Sequence, residues 1–126
     1  MKNVSRLGNL QLKILKLLWD RREATVADLH QSLLAEADLA YTTIATMLRK
    51  MEDRGLVRHR AEGRTFVYQA VVEADAVTRN LATDFLDRLF EGSLSAMVNH
   101  LLSHREVTRD ELAKIEQLIA DRKKTE

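Results

Sequence analysis

The sequence predicts a mainly α-helical protein in which three helices, one β-hairpin and three further helices follow one another. Three observations predict it. Apolar residues recur at steps of three and four along most of the chain, which is the signature of helices with one buried face. That period lapses at residues 56–71, where two β-prone segments, LVRHR and TFVYQAV, flank AEGR. The chain has no proline and only 4 glycines, so its long periodic stretches run with few breaks.

The elements follow in order. Leu7, Leu10, Ile14, Leu17 and Leu18, with Trp19 beside them, make the apolar stripe of a first helix that leaves Gln11, Lys13 and Lys16 outside. Thr25 reads as the N-cap of a second helix, with Asp28 three residues on and Val26, Leu29 and Leu33 buried. Residues 35–39 connect it to a third helix, Tyr41 to Arg54, with Ile44, Met47, Leu48 and Met51 inward and Gly55 closing it. AEGR then makes a four-residue hairpin connection. Val77, Leu81, Phe85 and Leu89, joined by Ala82, Leu86 and Phe90, line a fourth helix that Gly92 stops. Ser93 or Ser95 starts a fifth with Leu94, Met97, Val98, Leu101 and Leu102. Thr108 and Glu111 match a capping box before a sixth, lined by Leu112, Ile115, Leu118 and Ile119 and fraying at Lys123 to Glu126.

Three helices and a two-stranded wing outline a winged helix-turn-helix over residues 1–72. Residues 73–126 then form a helical region with more apolar surface than a segment of that size buries on itself. A second copy related by a two-fold axis is the economical partner. Its seam is expected at Phe85, Leu89, Met97, Val98, Leu101 and Leu118.

Composition excludes several classes. At 126 residues, 31% charged and 45% hydrophobic, the chain is globular rather than disordered, with one domain or two small halves. Without cysteine there is no disulfide, no thiolate nucleophile and no thiolate metal site. No apolar run approaches the roughly 18 residues of a membrane span, and MKNVSRLGNL lacks the apolar stretch of a secretory leader. A cytoplasmic protein is expected. No Gly-x-Ser-x-Gly elbow or phosphate-cradling glycine loop points to an enzyme. His100 and His104 have the spacing of two metal ligands but no third nearby, so no metal and no cofactor are expected. His30 and His59 read as ordinary packing or surface residues.

Charge points to a polyanion. Residues 1–72 hold 12 Lys/Arg against 8 Asp/Glu and residues 73–126 hold 8 against 11, leaving the front at +4 and the back at −3. Within residues 49–64, Arg49, Lys50, Arg54, Arg58, Arg60 and Arg64 face only Glu52, Asp53 and Glu62. At 100° per residue, Thr42, Thr46, Arg49 and Asp53 share one face of the third helix, flanked by Thr43 and Lys50. Threonine lags alanine by up to about 0.7 kcal/mol in an exposed helix, so three in five positions weaken the helix and hint at a use. Short hydroxyls bond base edges and offer a methyl to thymine while letting the helix approach a major groove closely. A wing cation laid on the phosphates would sit beside it. Solvated threonines and an edge hairpin blunted by cations are the plainer alternative.

The blocks LGNLQLKILKLLW, TVADLHQSL, AYTTIATMLRKMEDRGLV and EGRTFVY, with the tail EGSLSAMVNHLLSHREVTRDELAKIEQLI, resemble the penicillinase-repressor family (BlaI/MecI/CopY) in order and spacing. The resemblance implies a homodimeric repressor on an inverted-repeat operator in double-stranded DNA, relieved by a signal such as a sensor-linked protease responding to β-lactams. It places DNA contacts at Thr42, Thr43, Thr46, Arg49 and Lys50 and the wing contact at Arg64; Tyr41 and the hairpin cations Arg58 and Arg60 complete the expected DNA-binding set. Departures limit it. The cysteine pairs of the copper-responsive branch are missing, Asn99-His100-Leu101 stands where staphylococcal members carry an Asn-Phe cleavage site, and Tyr68-Gln69-Ala70 replaces Tyr-x-Pro. A helical adaptor dimer and a winged-helix regulator that binds a small-molecule effector directly remain open alternatives.

Overall fold

The computed structural model describes residues 7–36 and 38–125. The leader reading of the first six residues, Ala37 in the 35–39 connection and Glu126 at the frayed end lie outside them. The elements run α1 (Asn9–Arg21), β1 (Ala24–Thr25), α2 (Val26–Leu33), α3 (Tyr41–Asp53), β2 (Val57–Glu62), β3 (Thr65–Ala70), α4 (Ala74–Phe90), α5 (Leu94–His104) and α6 (Arg109–Lys124). Among the described residues no helix is long and apolar enough to cross a membrane.

The chain divides into two compact units, one ending at Asp84 and one running Phe85–Glu126. The break falls inside α4, later than the change of sequence pattern at residue 72, because Val77 is buried in the first unit's core and Leu81 packs against that core. In the first unit, Ile14, Leu15 and Leu18 of α1 meet Leu29 and Leu33 of α2, Ile44, Leu48 and Met51 of α3, and Leu56, Val57 and Tyr68. The inward stripe of α1 is rotated from the expected one. Leu15 is fully buried while Leu7, Leu10, Leu17 and Trp19 are only partly so, because the α1 surface also meets β3 and the chain leading into α4. Trp19 Nε1 donates to the Val72 carbonyl at 2.9 Å there. Gln11, expected outside, is half-buried and accepts from Arg54 Nη1 at 2.9 Å, tying the start of α1 to the end of α3.

Caps fall where the residue types dictate. Thr25 accepts from the Asp28 N–H at 3.1 Å and Asp28 returns the bond to the Thr25 N–H at 3.0 Å, a complete capping box. Ser93 caps α5 and Thr108 caps α6. The sheet is three-stranded and antiparallel in the order β1-β3-β2. Sequence patterning missed β1, since two residues show no period; Ala24 pairs with Tyr68 and Thr25 with Val67. The hairpin connection is also shorter than expected. Ala61 and Glu62 pair with Phe66 and Thr65, so only Gly63 and Arg64 turn the chain, with Gly63 at φ +64° as a tight two-residue turn of the II′ kind requires.

The passage from α3 to the wing is the most determined stretch. Gly55 sits at φ +76°; its N–H bonds the Glu52 carbonyl at 2.9 Å and the Leu56 N–H bonds the Met51 carbonyl at 2.9 Å. This is a Schellman closure, with Leu56 and Met51 both fully buried beside it. Replacing Gly55 by Ala is expected to lower unfolding free energy by about 1–2 kcal/mol, because a Cβ is disfavoured at that φ. Urea titration followed by circular dichroism checks this; an unchanged midpoint would show that the turn relaxes freely.

Candidate nucleic-acid interface

Burying Ile44, Leu48 and Met51 fixes the rotation of α3, and the opposite face must then meet solvent. Thr42, Thr43, Thr46, Arg49 and Lys50 are all exposed on it, as is Asp53. The N-cap of α3, Ala40, has no side chain able to bond the first-turn amides. The Thr43 N–H is taken by the Ala40 carbonyl at 3.0 Å, so the positive end of the helix offers an anionic ligand the N–H groups of Tyr41 and Thr42.

Tyr41 is half exposed and meets the His30 ring edge-on at 5.9 Å, while His30 Nε2 donates to the Leu39 carbonyl at 2.8 Å. His30 is thus a packing residue that seats the start of α3. A cleft of about 250 Å³ joins this point to two others, lined by Thr25, Val26 and Ala27 at the start of α2, by Tyr41, and by Arg64, Thr65 and Phe66 of the wing. The structure therefore brings Tyr41 and Arg64, 23 positions apart in the sequence, to the same opening.

The cations of residues 49–64 differ in what they touch. Arg60 forks onto Glu23, and its Nε lies 2.9 Å from Glu62. This pairing holds the Glu23 carboxyl below its ordinary range through the Arg60 hydrogen bond, and holds the Arg60 guanidinium above its own, chiefly through the bond to Glu23. Arg58 donates to the neutral Gln69 side chain at 2.8 Å, and Arg54 to Gln11. Arg49, Lys50 and Arg64 make no ion pair or hydrogen bond among the described residues. Spacing shows none of this, because Glu23 lies 37 residues from Arg60 and meets it only through the pairing of β1 with β3. Sequence reasoning also left His59 as an ordinary residue, whereas its Nδ1 lies 2.7 Å from the Glu52 carboxylate on α3. The tight turn at Gly55 carries β2 back beside α3.

The other expected residues lie in the second unit. Phe85, Leu89, Leu101 and Leu118 are exposed, and Met97 and Val98 partly so. His100 and His104 stack at 4.2 Å, and His104 Nδ1 donates to the His100 carbonyl at 2.8 Å. Among the described residues no third metal-ligating side chain joins them.

A family model described as "Penicillinase repressor" matches residues 7–121. The chain is 24% identical over 123 residues to the penicillinase repressor of Bacillus licheniformis, covering 98% of this chain and 96% of that relative. It is 32% identical over 123 residues to the transcriptional regulator BlaI of Mycobacterium tuberculosis, covering 96% of this chain and 88% of the relative. It is also similar to the solution structure of the DNA-binding domain of the repressor BlaI. That likeness has a TM-score of 0.52 at 26% identity, over 59% of this chain and 90% of the other.

One side of the cleft rests on an ionised carboxylate. The Asp28 carboxyl lies below its ordinary range, first because it accepts the Thr25 backbone N–H, so the folded state favours its charged form. The stability it adds is fully present above the unfolded value near pH 4 and is lost as pH falls through the lower folded value. Asp28→Ala is expected to lower Tm at pH 7, with the deficit shrinking as pH falls below about 4. A deficit that stays constant over that fall would assign the loss to packing instead.

Proposed function

Because the chain belongs to the penicillinase-repressor family, we propose that it is a transcriptional repressor that grips double-stranded DNA as a homodimer on an inverted-repeat operator. One observation carries the reading. An exposed threonine ridge, two cations on the same helix and Arg64 of the wing, none of the three ion-paired among the described residues, stand on one unit, with Tyr41 and Arg64 across a single cleft. In this reading α3 enters a major groove, Thr42, Thr43 and Thr46 read base edges, and Arg49 and Lys50 reach bases or phosphates. Tyr41, the start of α2 and Arg64 hold the sugar-phosphate strand that passes the cleft. Arg58 lends charge from β2; Arg60, held by two carboxylates, contributes less.

The second unit supports the dimer. No residue among the described part of 85–125 is buried, although α5 and α6 present Leu94, Leu101, Leu102, Leu112, Leu118 and Ile119. Regular helices with no core of their own need an apolar partner, and a second copy supplies one. Two α3 helices then meet successive grooves roughly 34 Å apart. Relief by a sensor-linked protease fits the same unit. A cut at Asn99, His100 or Leu101 of α5 would fall beside the apolar residues of the proposed seam and so undo the dimer. The setting is cytoplasmic, where the DNA is. A gel shift on random duplex at low and moderate salt separates this reading from an adaptor dimer, which shows no salt-dependent binding, and footprinting yields the operator with its symmetry.

Arg64→Ala is expected to reduce the salt slope of DNA binding by about one, whereas Arg60→Ala should move it distinctly less, its charge being already answered by Glu23 and Glu62. Equal changes in slope would show that Arg60 abandons its partners for phosphate. Leu101→Asp is expected to yield monomer in sedimentation velocity, since an unpaired ion in an apolar seam is costly. DNA affinity should fall with it as two linked half-site contacts become independent. A dimer that persists would place the seam elsewhere.

A further inference from the structure

The distal wing has little core to hold it. Ala61, Glu62, Gly63, Arg64, Thr65 and Phe66 are all exposed, and a two-stranded hairpin alone is marginal in water. Two side-chain clusters brace it, one on each face. Along β2, Arg58, Arg60 and Glu62 project to one side, where Arg60 grips Glu23 and Glu62. His59 projects to the other side, toward α3. Its ring stacks on Phe66 with centroids 4.1 Å apart and planes at 24°, and lies 5.4 Å from the Tyr68 ring. Nδ1 is 2.7 and 2.9 Å from the two oxygens of Glu52. A carboxylate only accepts, so Nδ1 carries the proton and donates. The charged or titratable groups on this side are Glu52 of α3, Tyr68 of β3, and Arg49 and Tyr41 of α3, which both act on Tyr68.

We propose that Glu52 and His59 form a latch that fixes the wing to the recognition helix, making both of them positioning residues for DNA binding through Arg64. The inference rests on the DNA-binding reading and adds a sign to it. Glu52 is an anion on a surface meant for a polyanion, so charge alone predicts that removing it tightens binding. A latch predicts the reverse, because a wing freed from α3 must be ordered again when DNA arrives.

The full chain is tested by fluorescence anisotropy on random-sequence duplex of about 30 base pairs, long enough for two half-sites a helical turn apart. Hydrogen exchange of the wing amides is followed without DNA. Glu52→Ala removes both the charge and the acceptor; Glu52→Gln removes the charge and keeps an acceptor for Nδ1. The expected result is that Glu52→Ala weakens binding on the order of two- to tenfold and speeds exchange at residues 58–66, while Glu52→Gln does neither. His59→Ala should match Glu52→Ala, and the double variant should add little. Equal changes in Glu52→Ala and Glu52→Gln, in either direction, overturn the latch while leaving the DNA-binding reading intact. A wild-type chain that binds no duplex overturns the DNA-binding reading and the latch's part in it, whatever the exchange rates show.

Discussion

Burial of one side of α3 is the constraint on which the rest depends. Ile44, Leu48 and Met51 are fully enclosed by α1, α2 and the start of β2, so the helix has one rotation available. That rotation alone turns Thr42, Thr46 and Arg49 outward together. The same burial reaches the wing through Met51, whose carbonyl takes the Leu56 N–H and whose side chain is buried with that of Leu56. Helix, turn and first strand are therefore one packed object. A shift of α3 in its socket would move the hairpin as well, so the two surfaces proposed to meet DNA share an origin in apolar packing rather than in their own polar residues.

Most of this frame was legible because it is periodic. Six helices, the N-caps of α2, α5 and α6 and the two long strands follow from spacing and residue type, and the α3 stripe reads directly from Ile44, Met47, Leu48 and Met51. What escaped has no period. Two-residue β1 pairs with a strand more than 40 positions away, and its arrival sets Glu23 beside Arg60. Leu15 displaced Leu17 in the core of α1 because that helix packs on several sides, and a helical wheel records only the strongest. The His59–Glu52 bond spans seven positions, closer than most tertiary contacts, yet a helix end, a left-handed glycine and a change to strand geometry intervene. Residue lists name the candidates; only the turn makes them neighbours.

Counting cations in the sequence treats all six of residues 49–64 alike, and the structure sorts them. Arg60 has its charge answered twice and acts as a brace between β1 and β2, while Arg54 joins α1 to α3. Arg49, Lys50 and Arg64 are the ones without ion-pair partners among the described residues. The distinction is physical because counterion release counts charges that a nucleic acid neutralises, and a guanidinium shared between two carboxylates has little left to neutralise. A local excess of +3 therefore locates a surface without ranking its residues.

The two units divide the problem of stability differently, and α4 shows how. Its first half carries Val77, buried with the helices of the first unit, while Phe85 and Leu89 further along are more than half exposed. One continuous helix thus begins in a finished core and ends in an unfinished one. The first unit encloses a core of its own, though Leu34, Phe66 and Val71 stay exposed. The second, whose helices are capped at Ser93 and Thr108 yet enclose no residue, has local order without a core to hold it. On the proposed reading a second copy completes that core, so apparent stability of residues 85–125 depends on protomer concentration in a way that the first unit's does not. On that reading the chain would lose its dimer, by dilution or by a cut in α5, and keep the core of its first unit. What it forfeits is the linkage of two half-site contacts, the part of affinity that separates an occupied operator from the surrounding duplex.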